Sequence, residues 1–199
     1  MLRCFGSGNP LYEAYHDEEW GRPVRDERGI YERLCLEGFQ SGLSWLTILR
    51  KRDAFRRAFA NFDPDAVARF GERDVARLLV DASIVRHRGK IEAAVANARG
   101  VLRLREQGTP LHELVWSFAP ARRRAPKTRT DWPTSTPESA ALAKKLRHAG
   151  FRFVGPTTAY AAMQACGIVN DHLVDCFARE RVERSRILMT APDSRALSP

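Results

Sequence analysis

PESAALAKKLRHAGFRFVGPTTAYAAMQAC, residues 137–166, holds two helical stretches on either side of a short turn bounded by glycines. Thr136-Pro137 opens the first as an N-cap followed by proline at the first helical position. Gly150 closes it, because glycine accepts the left-handed conformation that ends helices. The second stretch follows Gly155-Pro156 and runs over 157–166. Gly150 and Gly155 permit a tight turn, so the pattern reads as helix–hairpin–helix. Backbone N–H groups at the start of the second helix favour a phosphate, and Lys144, Lys145, Arg147 and Arg152 add positive charge nearby. Gly155, Thr157 and Arg152 are the expected contacts to a DNA backbone, of a kind that reads no sequence. The competing reading is an ordinary corner between two helices. SIVRHRGK, residues 83–90, is a second basic connection, but it lacks the two spaced glycines.

Helical signals continue on both sides of this motif. One long pattern covers 26–50. Asp63-Pro64 and Thr109-Pro110 each read as an N-cap with proline behind it. Residues 74–83 and 90–105 carry apolar side chains at spacings of three and four. A last short helix is expected from Asn170-Asp171 through Cys176. No segment alternates with β-branched residues as a strand does. The fold class is all-α. Residues 1–178 are expected to form one domain of two helical lobes sharing a cleft. Residues 119–135, APARRRAPKTRTDWPTS, read as a basic loop, and 179–199 as a charged, frayed tail.

Lys and Arg total 33 against 24 Asp and Glu, a formal net charge of +9 over 199 residues. Such a balance favours an acidic partner. Nucleic acid comes first, because phosphate contacts supply most non-specific affinity. No apolar run nears the ~18 residues of a membrane span, so no membrane partner is expected. MLRCFGSGNP lacks the apolar core of a secretory signal. The chain is therefore expected in the cytoplasm, where its four cysteines are thiols or metal ligands rather than disulfides.

Stepping at 100° per residue through the 26–50 pattern puts Ile30, Leu34, Glu37, Ser41, Trp45 and Ile48 on one stripe. Its other members are apolar or small, so Glu37 lies on an inward face, where a charge is expensive unless paired or used. Gly38 and Gly42 leave room beside it. Tyr12, Tyr15 and Trp20 cluster just before the helix, and aromatic faces bind flat cationic rings. A carboxylate among them accepts hydrogen bonds from an exocyclic amine. A buried salt bridge to an arginine, a kinked helix with Glu37 in solvent, and plain core packing of the aromatics remain open alternatives.

His172 and Cys176 are four apart, on one face of the expected final helix. Cys4 and His16 lie in a turn-rich N-terminal segment. Together they offer two thiolates and two imidazoles, a closed tetrahedral set that suits one structural zinc ion. Four unrelated residues would give the same spacing.

Taken together, several strings resemble bacterial DNA-3-methyladenine glycosylase I: RC at 3–4, PLYEAYHDEEWG at 10–21, LCLEGFQSGLSW at 34–45, IVRHRGKI at 84–91, WPTSTPES at 132–139 and GFRFVGPTTAYAAMQACGIVNDH at 150–172. The resemblance spans roughly residues 3–177 and is weakest in RRRAPKTRT and the tail. It implies the fold of the helix–hairpin–helix DNA glycosylase superfamily. It implies zinc held by Cys4, His16, His172 and Cys176, and a base pocket including Glu37, Tyr15 and Trp45 with Tyr12 and Trp20 close by. It also implies a monomeric, monofunctional hydrolase that acts on double-stranded alkylated DNA and releases free 3-methyladenine. Many relatives in the wider superfamily carry a catalytic Asp just beyond the hairpin's second helix. Asp171 stands near that place, although this subfamily is thought to depart from the rule. Two rivals share the same features: a non-enzymatic, zinc-stabilised DNA-binding module, and a glycosylase for another alkylated purine. The first leaves the aromatics around Glu37 unexplained. Against the second, guanine presents an O6 acceptor where adenine has an amine.

Overall fold

The structure, a computed structural model, describes residues 2–121 and 124–190, the last three without their side chains. Among the described residues it is all helical: α1 (Pro10–Glu18), α2 (Glu27–Gln40), α3 (Trp45–Ala58), α4 (Pro64–Val67), α5 (Glu72–Val80), α6 (Arg88–Glu106), α7 (Leu111–Trp116), α8 (Pro137–His148), α9 (Pro156–Ala165) and α10 (Arg179–Thr190). Local chemistry starts most of them. Asn9, Asp26, Ser44, Asp63, His87 and Thr136 each accept a backbone N–H from the first turn of the helix that follows. Thr109-Pro110 behaves differently: Pro110 itself takes the cap position, and the Leu111 N–H is met instead from α2 by the Glu27 carboxylate at 3.1 Å.

α2 is the axis of the molecule, packed against α3, α6, α7 and α9. Residues 34–39 are all buried, so no polar face remains over this stretch and burial is not confined to one stripe. The expected 26–50 helix is also broken. Gly42 at φ +80° turns the chain between α2 and α3, and Ser44 caps α3 by accepting the Thr47 N–H at 3.2 Å. The buried Lys90 crosses from α6 and donates to the carbonyls of Phe39 (2.9 Å) and Ser41 (2.5 Å), which satisfies acceptors that a helix end leaves open. Glu37 and Trp45 therefore sit on two helices. Gly38 faces the turn between α8 and α9, where a Cβ would meet Phe153 Cβ at an ordinary 3.6 Å. Gly42→Ala is expected to destabilise by about 1–2 kcal/mol, the cost of a left-handed L-residue. Gly38→Ala should gain up to ~1 kcal/mol from helix propensity. Urea midpoints check the pair, and shifts of the same sign would contradict the break.

α8 and α9 pack together across the turn that joins them, and α9 packs against α2. Gly150 takes φ +86°, as expected, but the second left-handed residue is Phe153 at +54°. Gly155 is extended at φ −92° and caps α9. The turn is held from outside as well. The buried Asn97 accepts the Arg152 N–H at 2.7 Å and donates to the Arg152 carbonyl at 3.3 Å.

Two regions differ from the sequence reading. Residues 171–176 form no helix; a turn in which the Cys176 N–H meets the Leu173 carbonyl at 2.9 Å carries the segment. Residues 179–190 are the helix α10 rather than a frayed tail, because their charges bond to backbone instead of solvent. Arg186 donates to the carbonyls of Gly167 and Ile168, Arg179 to that of His172, and Val182 is buried. Residues 191–199 lie outside the described residues. No described helix is long and apolar enough to cross a membrane.

Two apolar clusters organise the molecule. The larger surrounds α2. The smaller gathers Cys4, Tyr15, Trp20, Leu49, Leu173 and Cys176, and Trp45 packs against both.

Candidate functional site

Glu37 is 7% exposed, on the last turn of α2. Among the described residues no cation or hydrogen-bond donor meets its carboxylate, and burial alone pushes its pKa up to about 8. The salt-bridge alternative is thereby removed. The arginines nearby are engaged elsewhere: Arg52 makes a two-pronged pair with Glu19 at 2.7 Å per arm, and Arg56 meets Glu32 at 2.8 Å. A buried acceptor without a partner costs free energy, and such groups concentrate where a ligand supplies the partner.

The charge of this carboxylate reaches two tyrosines, Tyr15 and Tyr12. Tyr15 on α1 and Trp45 on α3 approach to 5.3 Å between centroids. The Glu19–Arg52 pair ties the end of α1 to α3 and so holds these two rings together. Burial first, then the Glu37 charge, raises the Tyr15 hydroxyl well above its ordinary pKa. Among the described residues the Trp45 indole N–H is buried with no hydrogen-bond partner. Tyr12 is half-buried, and its hydroxyl also feels Glu37. Trp20 lies one layer further out, 4.7 Å from the His172 ring.

Sequence reasoning missed two further rings. Phe5 stacks on Tyr12 at 5.0 Å and meets Trp20 at 4.7 Å. Trp132 packs 5.5 Å from Trp20 and donates its indole N–H to the Asp171 carbonyl at 2.8 Å. Phe5 follows Cys4 directly, so its neighbour was the available signal. Trp132 sits at the end of the basic loop, and its place at the head of WPTSTPES was the available signal. The larger hollows lie elsewhere. One of about 590 Å³ opens between Trp116 and α10, and one of about 670 Å³ between the ends of α6, α7 and α8.

Cys4, His16, His172 and Cys176 converge, all buried, with one donor atom from each within 4.8 Å of the others. Cys4 Sγ to His172 Nδ1 is 3.5 Å, while Cys176 Sγ lies 3.4 Å from both His16 Nε2 and His172 Nδ1. These separations match the edge of a tetrahedron, about 3.6 Å for the N–S edge at ordinary zinc bond lengths. The outer ring nitrogens are anchored as metal-bound histidines require. His16 Nδ1 faces Asp17 at 2.7 Å, and Arg3 grips Asp17 at 2.9–3.1 Å. His172 Nε2 faces the Trp20 carbonyl at 3.0 Å. The Cys4 thiol and both imidazoles point at Cys176 and favour its thiolate. His16 comes from α1, not from the turn-rich segment expected, and His172 and Cys176 meet through a turn. The donor set fits one tetrahedral metal ion with no position left open.

The hairpin residues lie apart from this cluster. Arg152 and Thr157 are exposed, and a Cβ at Gly155 would meet nothing within 4 Å. Asp171 is buried and its carboxylate is occupied, accepting from Tyr160 at 2.5 Å and Gln164 at 2.8 Å. It braces the end of α9 rather than facing a ligand.

Residues 5–179 match the methyladenine glycosylase family model. The chain is 50% identical over 179 residues to DNA-3-methyladenine glycosylase 1 of Escherichia coli (strain K12), covering 88% of this chain and 96% of that protein. A crystal structure of 3-methyladenine DNA glycosylase I superposes with a TM-score of 0.86 at 49% identity, over 89% of this chain and all of that one. A Staphylococcus aureus 3-methyladenine DNA glycosylase I, described for the structural basis of its 3-methyladenine recognition, gives 0.84 at 35% identity, over 88% of this chain and 95% of that one. The match across 5–179 and the identity over most of both chains agree: the chain belongs to the methyladenine glycosylase family.

Proposed function

We propose that this protein excises 3-methyladenine from alkylated double-stranded DNA by hydrolysis, leaving an abasic site. The observation that carries this reading is Glu37, a buried carboxylate with no partner among the described residues, whose charge reaches Tyr12 and Tyr15, with Trp45 packed on Tyr15. Inside a duplex the target atom is hidden, so the nucleotide must be flipped out at a cost of a few kcal/mol. In DNA the methylated adenine is cationic, and its bond to the sugar is already weak. Selection then matters more than acceleration. Tyr15 and Trp45 contact the cationic ring, Tyr12 and Trp20 back them, and Glu37 accepts hydrogen bonds from the adenine edge and stabilises its charge. The open Trp45 N–H is a donor for a ring acceptor. Water attacks the sugar carbon as the base departs.

Gly155, Thr157 and Arg152 hold the DNA backbone in this scheme. The open space at Gly155 and the free start of α9 support close approach of a phosphate. Cys4, His16, His172 and Cys176 hold one structural zinc, which when bound ties the N-terminal segment to 170–178. Residues 1–178 act as one domain with the base entering between its two apolar clusters, as a monomer in the cytoplasm.

Chromatography of bases released from methylated DNA tests the reading. Wild type should release 3-methyladenine and Glu37→Ala far less. No release above buffer would leave a DNA-binding module, and release of methylated guanines instead would move the substrate.

A further inference from the structure

The 124–132 segment is too well anchored for a solvated connection. Its Pro126 carbonyl accepts the Val174 N–H at 2.8 Å, and Trp132 bonds to Asp171, so both ends dock on the stretch that carries His172. Between them Asp131 accepts the backbone N–H groups of Lys127 at 2.8 Å and Thr128 at 2.9 Å, closing a short turn over Arg129–Asp131. The turn presents Arg129.

The Arg129 guanidinium lies 5.8 Å from the centroid of the Trp132 ring. Trp132 in turn packs on Trp20 and Phe5, and Phe5 on Tyr12. Arg129 is therefore the outer layer of a stack whose inner layer borders the pocket. Its charge reaches inward: burial first raises the Tyr12 hydroxyl pKa, Arg129 lowers it, and Glu37 raises it again. Among the described residues no carboxylate pairs with Arg129, whereas Arg3 and Arg52 around the same cluster are each bound to acids. The nearest acid in sequence, Asp131, is committed to backbone N–H groups. An unpaired cation repels a cationic base, so its favourable partner is an anion, and the anion that accompanies a flipped nucleotide is phosphate. Resting on tryptophan, the planar guanidinium is oriented in advance for a two-pronged contact.

We infer that Arg129, carried by the anchored 124–132 turn and supported by Trp132, binds a DNA phosphate at the mouth of the base pocket, as a contact element separate from the α8–α9 hairpin. The inference rests on the glycosylase reading above. Its test separates the two. A fluorescent duplex with one stable abasic-site analogue is titrated with wild type, Arg129→Gln, Arg129→Lys and Arg57→Gln between roughly 50 and 200 mM salt. Arg57 is an exposed control at the far end of α3, about 18 Å along the helix from Trp45. Arg129→Gln should bind about tenfold more weakly at low salt. Its salt slope should fall by about one unit. Arg129→Lys should keep the slope and recover only part of the affinity. Affinity for free 3-methyladenine should stay at the wild-type level in every variant. A wild-type slope in Arg129→Gln, or a loss no larger than in Arg57→Gln, overturns the inference. Failure of the wild type to bind free 3-methyladenine would instead strike the pocket reading and leave the slope comparison standing.

Discussion

Glu37→Gln is expected to lower kcat/KM on alkylated DNA by about a hundredfold, the usual cost of removing one partner from a buried charge pair. The zinc content and fold should stay as in wild type. The pH dependence distinguishes this role from packing. With its pKa raised to about 8 by burial, Glu37 in the empty pocket holds its proton at neutral pH. A cationic base requires the carboxylate. Wild-type kcat/KM should therefore climb with pH up to about 8 and level off above, because this ratio reports the free enzyme. The Gln variant should lack that limb. Stability moves the other way. The folded state holds the Glu37 proton more tightly than the unfolded chain, so its contribution is full below the ordinary carboxylate pKa. It declines as pH rises toward about 8 and is constant beyond. Gln never ionises, so the variant should be more stable at pH 7, on the order of 3 kcal/mol, and equal near pH 4. Equal pH–rate limbs and equal melting curves in both proteins would discard the role.

Cys176→Ala is expected to abolish metal binding and to destabilise by about 4 kcal/mol or more, the class of effect that follows loss of a structural metal. For a chain of this size that is roughly a 10 °C fall in Tm. The reason is topological. Cys4 and His16 come from the first residues and His172 and Cys176 from beyond α9, and α1 otherwise packs chiefly on α3. Without the metal, residues 3–20 are tied to the rest of the molecule by Glu19–Arg52, by Arg181 on the Asp17 carbonyl, by His172 on the Trp20 carbonyl and by a few rings. Calorimetry, elemental analysis and hydrogen exchange over 3–20 check the expectation. A wild-type protein purified without metal that melts as the zinc-loaded form does would remove the site. Because Tyr15 and His16 are adjacent on α1, the same loss should also loosen the packing of Tyr15 on Trp45.

Helix starts were legible in the sequence because a cap is a local device. Asp26, Asp63 and Thr136 do in the structure what their side chains permit. The break at 41–44 was less visible: Gly42 costs only helix propensity in a pattern count, and Lys90, which satisfies the carbonyls released there, lies 49 residues away in sequence from Ser41. The docking of α10 failed to show for the same reason. Its arginines read as solvated charges until the carbonyls of Gly167, Ile168 and His172 are placed beside them.

By itself the sequence determined the helical class, the two helices joined by a short turn between 137 and 166, and the four Cys and His residues that could hold a metal, since these follow from periodicity, turn chemistry and residue type. Only the tertiary structure decided that Glu37 meets no cation among the described residues, that Phe153 rather than Gly155 bends the turn, that Asp171 is already bonded, and that Arg129 stands over Trp132. Each of these depends on which groups distant in sequence share a few ångströms, and that proximity is settled by packing around α2 and not by any local pattern.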